Sequence, residues 1–498
     1  MQCLTYGKGL YFFNHRNPSA KLIIPVLLSF IKNEEIKKFL KKSYRYDFYI
    51  PSNPLFNYPS FIKQINFSCL FECVHSLLQC VNCVNMDKFK NICGKTVYFV
   101  DSNMEMALAE IIFRTVIKNT SGLEVIEFFH DYCIYTEEHD YDIPSAFYEI
   151  FFELKDFQRC LKNLRKVRIQ LKKGEWDLTE QIMKYAHNVK EISSITIFGE
   201  SPSKSSLVKL LLSQGNLKKV SLGHKLIIDH TNERMTPSLE SLRLMRGCDI
   251  SGSLLQFFAN CNQLRKLIIS SVRFLSSSNK ILEEIIFPNL KVLELSFFEV
   301  ESEHEEKNVK QFLVHHIKNL RKLSIHGFYE YDKYKSFANI PSLLIFENNC
   351  SNLTYLLVEI YYESQISDIL IILKISKNLK ELQLLMKNNT IKPILEDQFL
   401  IDLSLSCKNL KVLNVDSLKM TISGLKILLT QSMLRLRRLD CFIHNGNSYH
   451  VERLIQKYEE FDDRRISSYT KKEVKKDFYG VEEYCNNYYV VIEWIYNI

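Results

Sequence analysis

One arrangement of apolar and polar positions recurs along the chain: a leucine or a relative, two variable residues, a second apolar residue, one variable residue, and a third. It stands at Leu123/Ile126/Phe128, Leu164/Val167/Ile169, Val189/Ile192, Leu217/Val220/Leu222, Leu239/Leu242/Leu244 and Leu264/Leu267/Ile269. It continues at Leu290/Leu293/Leu295, Leu320/Leu323/Ile325, Leu353/Leu356/Val358, Leu379/Leu382/Leu384, Leu410/Leu413/Val415 and Leu436/Leu439/Cys441. The third of these twelve copies is blurred, with Ile195 and Ile197 offering another register. From residue 164 onward the first positions lie 22 to 33 residues apart.

Alternation in the second half of the pattern has period two, so a short strand turns its apolar residues to one side. Between strands the period becomes helical: Val309, Phe312, Leu313 and Ile317 share one face, as do Ile422, Leu425 and Leu429. Such a strand and helix unit cannot bury its apolar face alone, and stacked neighbours give a parallel sheet, a helical layer and a leucine ladder between them. The expected fold is therefore an α/β leucine-rich-repeat solenoid, with parallel strands on the concave face and helices outside. Asparagine precedes the first leucine at Asn163, Asn188, Asn216, Asn289, Asn319, Asn352, Asn378 and Asn409, a residue that tolerates the left-handed turn from helix to strand. Cys261, Cys350 and Cys407 each lie three residues before a first leucine and read as packing residues of that turn.

The repeats span 111–441. Ahead of them, 21–110 reads as a helical region with Asn33 as an N-cap, and its connector at 51–59 holds Pro51, Pro54 and Pro59. After them, 442–498 reads as a cap for the last apolar face. Composition narrows the class further. Only 14 glycines and 11 prolines in 498 residues argue against glycine-rich phosphate loops and proline-rich linkers, since typical usage is about 7 % and 5 %. A net charge of +8 over this length is mild, so bulk nucleic-acid binding is not indicated. Leu22–Ile31, interrupted by Pro25, is about half the roughly 20 residues of a membrane span. The first residues lack the apolar core of a secretory signal. A cytoplasmic chain without membrane contact is expected; Lys471, Lys472, Lys475 and Lys476 read as a nuclear address or as a solvated loop.

The segment Pro54-Leu55-Phe56-Asn57-Tyr58-Pro59-Ser60-Phe61, ahead of irregular repeats that open with Lys-Asn-Leu or Cys-x-x-Leu, resembles the fungal family of F-box and leucine-rich-repeat proteins. That resemblance implies the substrate-recognition subunit of an SCF-type E3 ubiquitin ligase, which binds a target protein on its concave face and docks on a Skp-type adaptor and cullin through an F-box. Of the family's Trp-Arg-Asn-Pro-like exit only Arg16-Asn17-Pro18 is matched, so 1–20 reads as a residual F-box exit. The residues before Arg16 are too few for F-box helices. The expectation is thus either an F-box encoded upstream, which would supply adaptor and cullin binding, or a non-enzymatic interaction scaffold that has lost the adaptor.

Candidate chemistry changes this picture little. Gly94-Lys95-Thr96 has Phe89 where a phosphate loop needs glycine, and Gly7-Lys8-Gly9 has Phe12 where a dinucleotide motif needs one. Cys80-Val81-Asn82-Cys83, near Cys69, Cys73, His75 and Cys93, has zinc spacing without a second ligand pair, in a stretch with the apolar spacing of a helix. His315-His316, His304-Glu305 and Gly199-x-Ser201 each lack a required partner. No catalytic residue, metal site or cofactor is expected. The candidate site is instead the strand face opposite the ladder: Lys166, Arg168, Lys219, Arg243, Lys266 and Lys322 in earlier copies, then Tyr355, Glu359, Glu381, Asp416, Arg438 and Asp440. Its expected polarity is basic early and acidic late, fitting a partner segment of reverse polarity.

Overall fold

The computed structural model describes residues 60, 62–67, 70, 102–128, 151–171, 177–196, 205–223, 235, 237–245, 249–250, 252–274, 284–297, 311–327, 350–360, 364–386, 394–430, 436–443, 448–461, 465–473 and 488–495. The residual exit at 1–20, the connector at 51–59, and Cys80 and Cys83 lie outside them. The chain divides into two compact units, Met1–Asp229 and His230–Ile498.

In the first unit, strands β1 (Gln64–Asn66), β2 (Val125–Phe128), β3 (Lys166–Leu171), β4 (Glu191–Thr196) and β5 (Lys219–Gly223) run parallel in chain order. Helices α1 (Ser102–Asn119), α2 (Lys155–Leu161), α3 (Asp177–Tyr185) and α4 (Ser205–Ser213) fall between them. The second apolar positions align rung by rung as Ile65, Ile126, Val167, Ile192 and Val220. Two differences from the sequence reading appear here. The pattern begins one copy earlier, at Ile62, Ile65 and Phe67, all buried, inside the stretch expected to be helical. In the blurred copy Val189 and Ile192 are buried rungs, and strand register sets residue 194 opposite Leu222 and residue 195 opposite Gly223; Ile197 lies outside the described residues.

The second unit has β6 (Ser241–Leu244), β7 (Asp249–Ile250), β8 (Lys266–Phe274), β9 (Val292–Phe297), β10 (Lys322–Gly327), β11 (Tyr355–Ile360), β12 (Glu381–Met386), β13 (Val412–Met420) and β14 (Arg438–Ile443), followed by β15 (Arg465–Glu473) and β16 (Tyr488–Ile495). The parallel order is β6-β8-β9-β10-β11-β12-β13-β14, with β7 paired to the end of β8. Then β16 lies antiparallel on β14, and β15 antiparallel on β16. Helices α5 (Gly252–Phe258), α6 (Ser364–Ile375), α7 (Asp397–Ser406), α8 (Ile422–Thr430) and α9 (Ser448–Phe461) alternate with the strands, as does a helical stretch at 311–317. From α6 to α9 each helix packs on the next. Phe312, Leu313 and Ile317, and Leu425 and Leu429, are buried as their helical spacing predicts.

The ladder is dry. Leu164, Leu217, Leu239, Leu264, Leu290, Leu320, Leu353, Leu379 and Leu410 are all fully buried, and each such side chain contributes about 1.5–3 kcal/mol relative to exposure. A tight turn precedes many of the rungs: the amides of Leu264, Leu353 and Leu410 donate to the carbonyls of Cys261, Cys350 and Cys407 at 2.9, 3.0 and 3.0 Å. This turn carries the residue three positions earlier into the core. Burial pushes the thiols of Cys261, Cys350 and Cys407 up to about 12. Differential alkylation with peptide mapping at pH 8 is therefore expected to leave these three cysteines unlabelled in the folded protein, because the thiolate is the reactive form. Labelling before unfolding would contradict their placement.

Asparagine has a structural role here that its turn preference does not disclose. In the second unit the Asn289, Asn352, Asn378 and Asn409 side-chain amides donate to the carbonyls of Asn262, Lys318, Ser351 and Lys377 in the preceding repeat, at 2.7, 2.8, 2.8 and 3.0 Å. The turns are thereby tied to one another. In the first unit a buried glutamine does comparable work: Gln214 donates to the Ala186 carbonyl at 2.9 Å and accepts the Val189 amide at 3.1 Å. Gln214→Ala is expected to lower stability by about 2–3 kcal/mol, since it orphans two backbone groups and opens a void. Urea unfolding measures this, and a loss within experimental error would remove Gln214 from the fold's supports. Each unit is an α/β leucine-rich-repeat solenoid.

Candidate functional site

The sheet face opposite the ladder carries the second, fourth and sixth residues after each first leucine, and strand register sets them in rows. In the first unit one row reads Lys166, Glu191, Lys219, and the next Asn66, Glu127, Arg168, Ser193. Lys166 forms an ion pair with Glu191. Arg168 reaches Glu127 at 2.7 Å, and Glu127 also accepts the Asn66 amide at 3.2 Å. Two of the expected basic groups are thus matched by carboxylates that the sequence reading did not include, and the face of this unit alternates in sign. Glu191 sits in the blurred copy and Glu127 in the first, where no neighbouring lysine marked it.

Arg168→Met is expected to cost about 1–3 kcal/mol, because among the described residues it leaves the buried Glu127 carboxylate with the Asn66 amide as its donor. Lys219→Met, on an exposed side chain, should stay within about 0.5 kcal/mol. Equal shifts in a urea titration of the two variants would refute this distinction.

In the second unit the corresponding rows are Ser241, Lys266, Val292, Lys322, Tyr355, Glu381, Val412, Arg438 and Arg243, Ile268, Glu294, Ser324, Leu357, Gln383, Asn414, Asp440. Arg243, Lys266 and Lys322 are exposed. At the middle, the Lys322 ammonium lies 5.5 Å from the Tyr355 ring centroid. Burial, and next the Glu381 carboxylate, push the Tyr355 phenol above its usual range. Glu381 in turn accepts Gln383 at 2.9 Å. Leu357, two residues on in the same strand, is buried on this face, as is Ile268 three strands away on β8, so the centre is a tyrosine flanked by one cation and one anion. Glu359 is half-buried opposite Leu385.

The last two anions are placed differently from expectation. Asp416 lies where β13 breaks register between Val415 and Lys419, and its amide donates to Asn414 at 3.1 Å. Ser417 ties the same irregularity to the Leu384 carbonyl at 3.0 Å. Asp440 is 4 % exposed, and Arg438 Nε donates to both its carboxylate oxygens at 3.1 and 3.0 Å. Arg438 also reaches Glu493 of β16 at 3.4 Å. Asp440 is a structural anion beneath Arg438 and offers little to a partner. The charge rows therefore do not divide into a basic and an acidic half: Glu294 stands between Lys266 and Lys322, and Arg438 ends the series.

Among the described residues no group of three or more His, Cys, Asp or Glu side chains is placed to hold a metal ion, and no helix is long and apolar enough to cross a membrane. No family model matches the chain, and no curated protein matches it. Solved structures similar to it include the leucine-rich-repeat-containing protein LegL7 from Legionella pneumophila, at 15% identity over 60% of this chain and 98% of that one, TM-score 0.35. An internalin from Listeria monocytogenes is 14% identical over 58% of this chain and 85% of its own, TM-score 0.33. A chain of the complex of Rad7 and Elc1 in yeast is 16% identical over 79% and 84%, TM-score 0.36. At these identities the likeness concerns the fold alone, a leucine-rich-repeat fold.

Proposed function

We propose that the chain is a non-enzymatic recognition protein that binds a target protein on the open face of its parallel sheet, as the substrate-recognition subunit of an SCF-type ubiquitin ligase. The observation that carries the binding reading is the centre of the second unit's face, where Tyr355 lies between Lys322 and Glu381 on the neighbouring strands, two residues before the buried Leu357 of its own strand. A tyrosine that presents a large ring and a polar tip at low entropic cost, rimmed by opposite charges, is the composition of an interface hot spot. The ligase reading rests on the resemblance of residues 54–61 and the repeats to F-box proteins.

Affinity purification of the chain from its own cells, expressed from its native locus, tests both levels. Recovery of a Skp-type adaptor and a cullin together with a further protein supports the ligase subunit. A stable partner without adaptor or cullin would replace it with an interaction scaffold of the same fold.

A further inference from the structure

A second surface lies at the edge of the sheet where the strands begin. In eleven copies the residue directly after the first leucine, counting Ile62 as the first of its copy, accepts the two amides that open the next strand. The Lys63 carbonyl takes Glu124 and Val125 at 2.8 and 3.0 Å, and the Arg165 carbonyl takes Lys190 and Glu191 at 2.7 and 3.0 Å. Of the thirteen positions directly after a first leucine across all copies, ten are Lys or Arg and two are Glu, in a chain with 65 basic and 57 acidic residues. Overall composition does not produce that ratio, so the preference belongs to the position.

In the first unit this edge is hollowed into a groove of about 320 Å³ lined by Lys63, Lys162, Arg165 and Lys190, with Glu124 as its one acid. Lys162, Arg165 and Lys190 are exposed and, among the described residues, their side chains make no ion pair or hydrogen bond. Asn163, Asn188 and Asn216 complete the lining. Unlike their counterparts at 289, 352, 378 and 409, these asparagines make no side-chain bond to the preceding turn among the described residues. Gly122 lies so close that a Cβ there would come within 2.4 Å of the Asn163 amide nitrogen, so a larger residue would push that amide out of its place in the lining.

We propose that this groove binds an acidic segment of a partner protein, with aspartate or glutamate carboxylates received by Lys162, Arg165 and Lys190 and by the asparagine amides. Carboxylates take charge-assisted bonds from such donors, and the volume suits a few side chains rather than a folded surface. Single-stranded nucleic acid is the poorer fit, because no aromatic residue in the lining offers a base a stacking platform. The site is separate from the open face and does not depend on what binds there. A competing role for the cations is stabilisation of the helix ends at this edge: α2 and α3 finish just before it, and their terminal carbonyls favour positive charge.

Fluorescence anisotropy of the full chain with a labelled Glu-rich peptide, its Gln counterpart and an oligothymidylate, combined with thermal melts, separates these roles. The expected result is binding of the Glu peptide only, weakening as salt rises. R165Q/K190Q should weaken it about tenfold or more with an unchanged melting temperature, while K374Q/K426Q on helices of the second unit leaves it intact. Equal binding of the Gln peptide, preference for the oligonucleotide, or a variant that melts lower yet binds as well would each overturn the proposal.

Discussion

Phe67→Ala is expected to cost the first unit about 3–5 kcal/mol, the range for removing a fully buried aromatic ring. Phe67 is 0 % exposed and is the third rung of the earliest copy. It stacks on Phe128, the rung of the next copy, at 4.8 Å with planes 7° apart, and touches Phe113 of α1 at 5.3 Å, Phe151 at 5.5 Å and Phe157 of α2 at 6.5 Å. Offset and edge contacts of this kind add to area burial. The cluster packs the first two rungs against α1 and α2, and the neighbouring rings, themselves held by one another, have little freedom to refill the void. At about 2–4 °C per kcal/mol for a unit of this size, the melting transition of the first unit should fall by roughly 6–20 °C. A loss below about 1 kcal/mol, typical of an average substitution, would mean that the cluster is not the plug it resembles.

The second large effect is a dependence of stability on pH through His316. Its ring is 1 % exposed; Nδ1 donates to the Phe312 carbonyl at 2.7 Å, while Nε2 accepts the Phe287 amide at 2.9 Å. Both bonds together need the neutral ring. Burial pulls the imidazole down to about 4, partly opposed by the Phe312 carbonyl. Above about pH 6.5 neither the folded nor the unfolded ring is protonated, and the contribution is fully present. As pH falls from there towards 4 the unfolded chain takes up a proton that the folded chain refuses, so stability falls, by about 3 kcal/mol at 1.36 kcal/mol per unit. The stability gap between the wild type and His316→Gln, measured by urea unfolding, should therefore be widest at pH 7 and above and shrink towards pH 4. Other carboxylates cancel in that difference, and a gap that stays constant with pH would show that the ring titrates normally.

The ladder was legible because its cause is local: a leucine rung must be apolar, and a strand must alternate. The same logic placed Cys261, Cys350 and Cys407 in the core from spacing alone. The copy at Ile62 escaped because isoleucine and phenylalanine replace leucine and because the next copy, at Leu123, is far beyond one repeat length. Direction was not legible either, since alternation in β16 is the same whether it runs parallel or antiparallel to β14. The candidate site was legible as a face and not as a set of partners. Which charges meet depends on register between copies, and register brought Glu191 to Lys166 and Glu127 to Arg168. Strand-end positions drew no attention at sequence level because they belong neither to the ladder nor to the face. Their shared basic character shows only when the backbone ties Lys63, Arg165 and Lys190 to one edge.

The most direct test of the account is quantitative partner recovery with the open face altered at its centre. A chain carrying Lys322→Glu and Tyr355→Ala, both outside the ladder, is compared with the wild type by quantitative mass spectrometry after affinity purification, alongside thermal melts. The account predicts that at least one protein recovered with the wild type is lost while the melting temperature is retained. An unchanged set of partners from a variant that folds as the wild type does would contradict binding at this face.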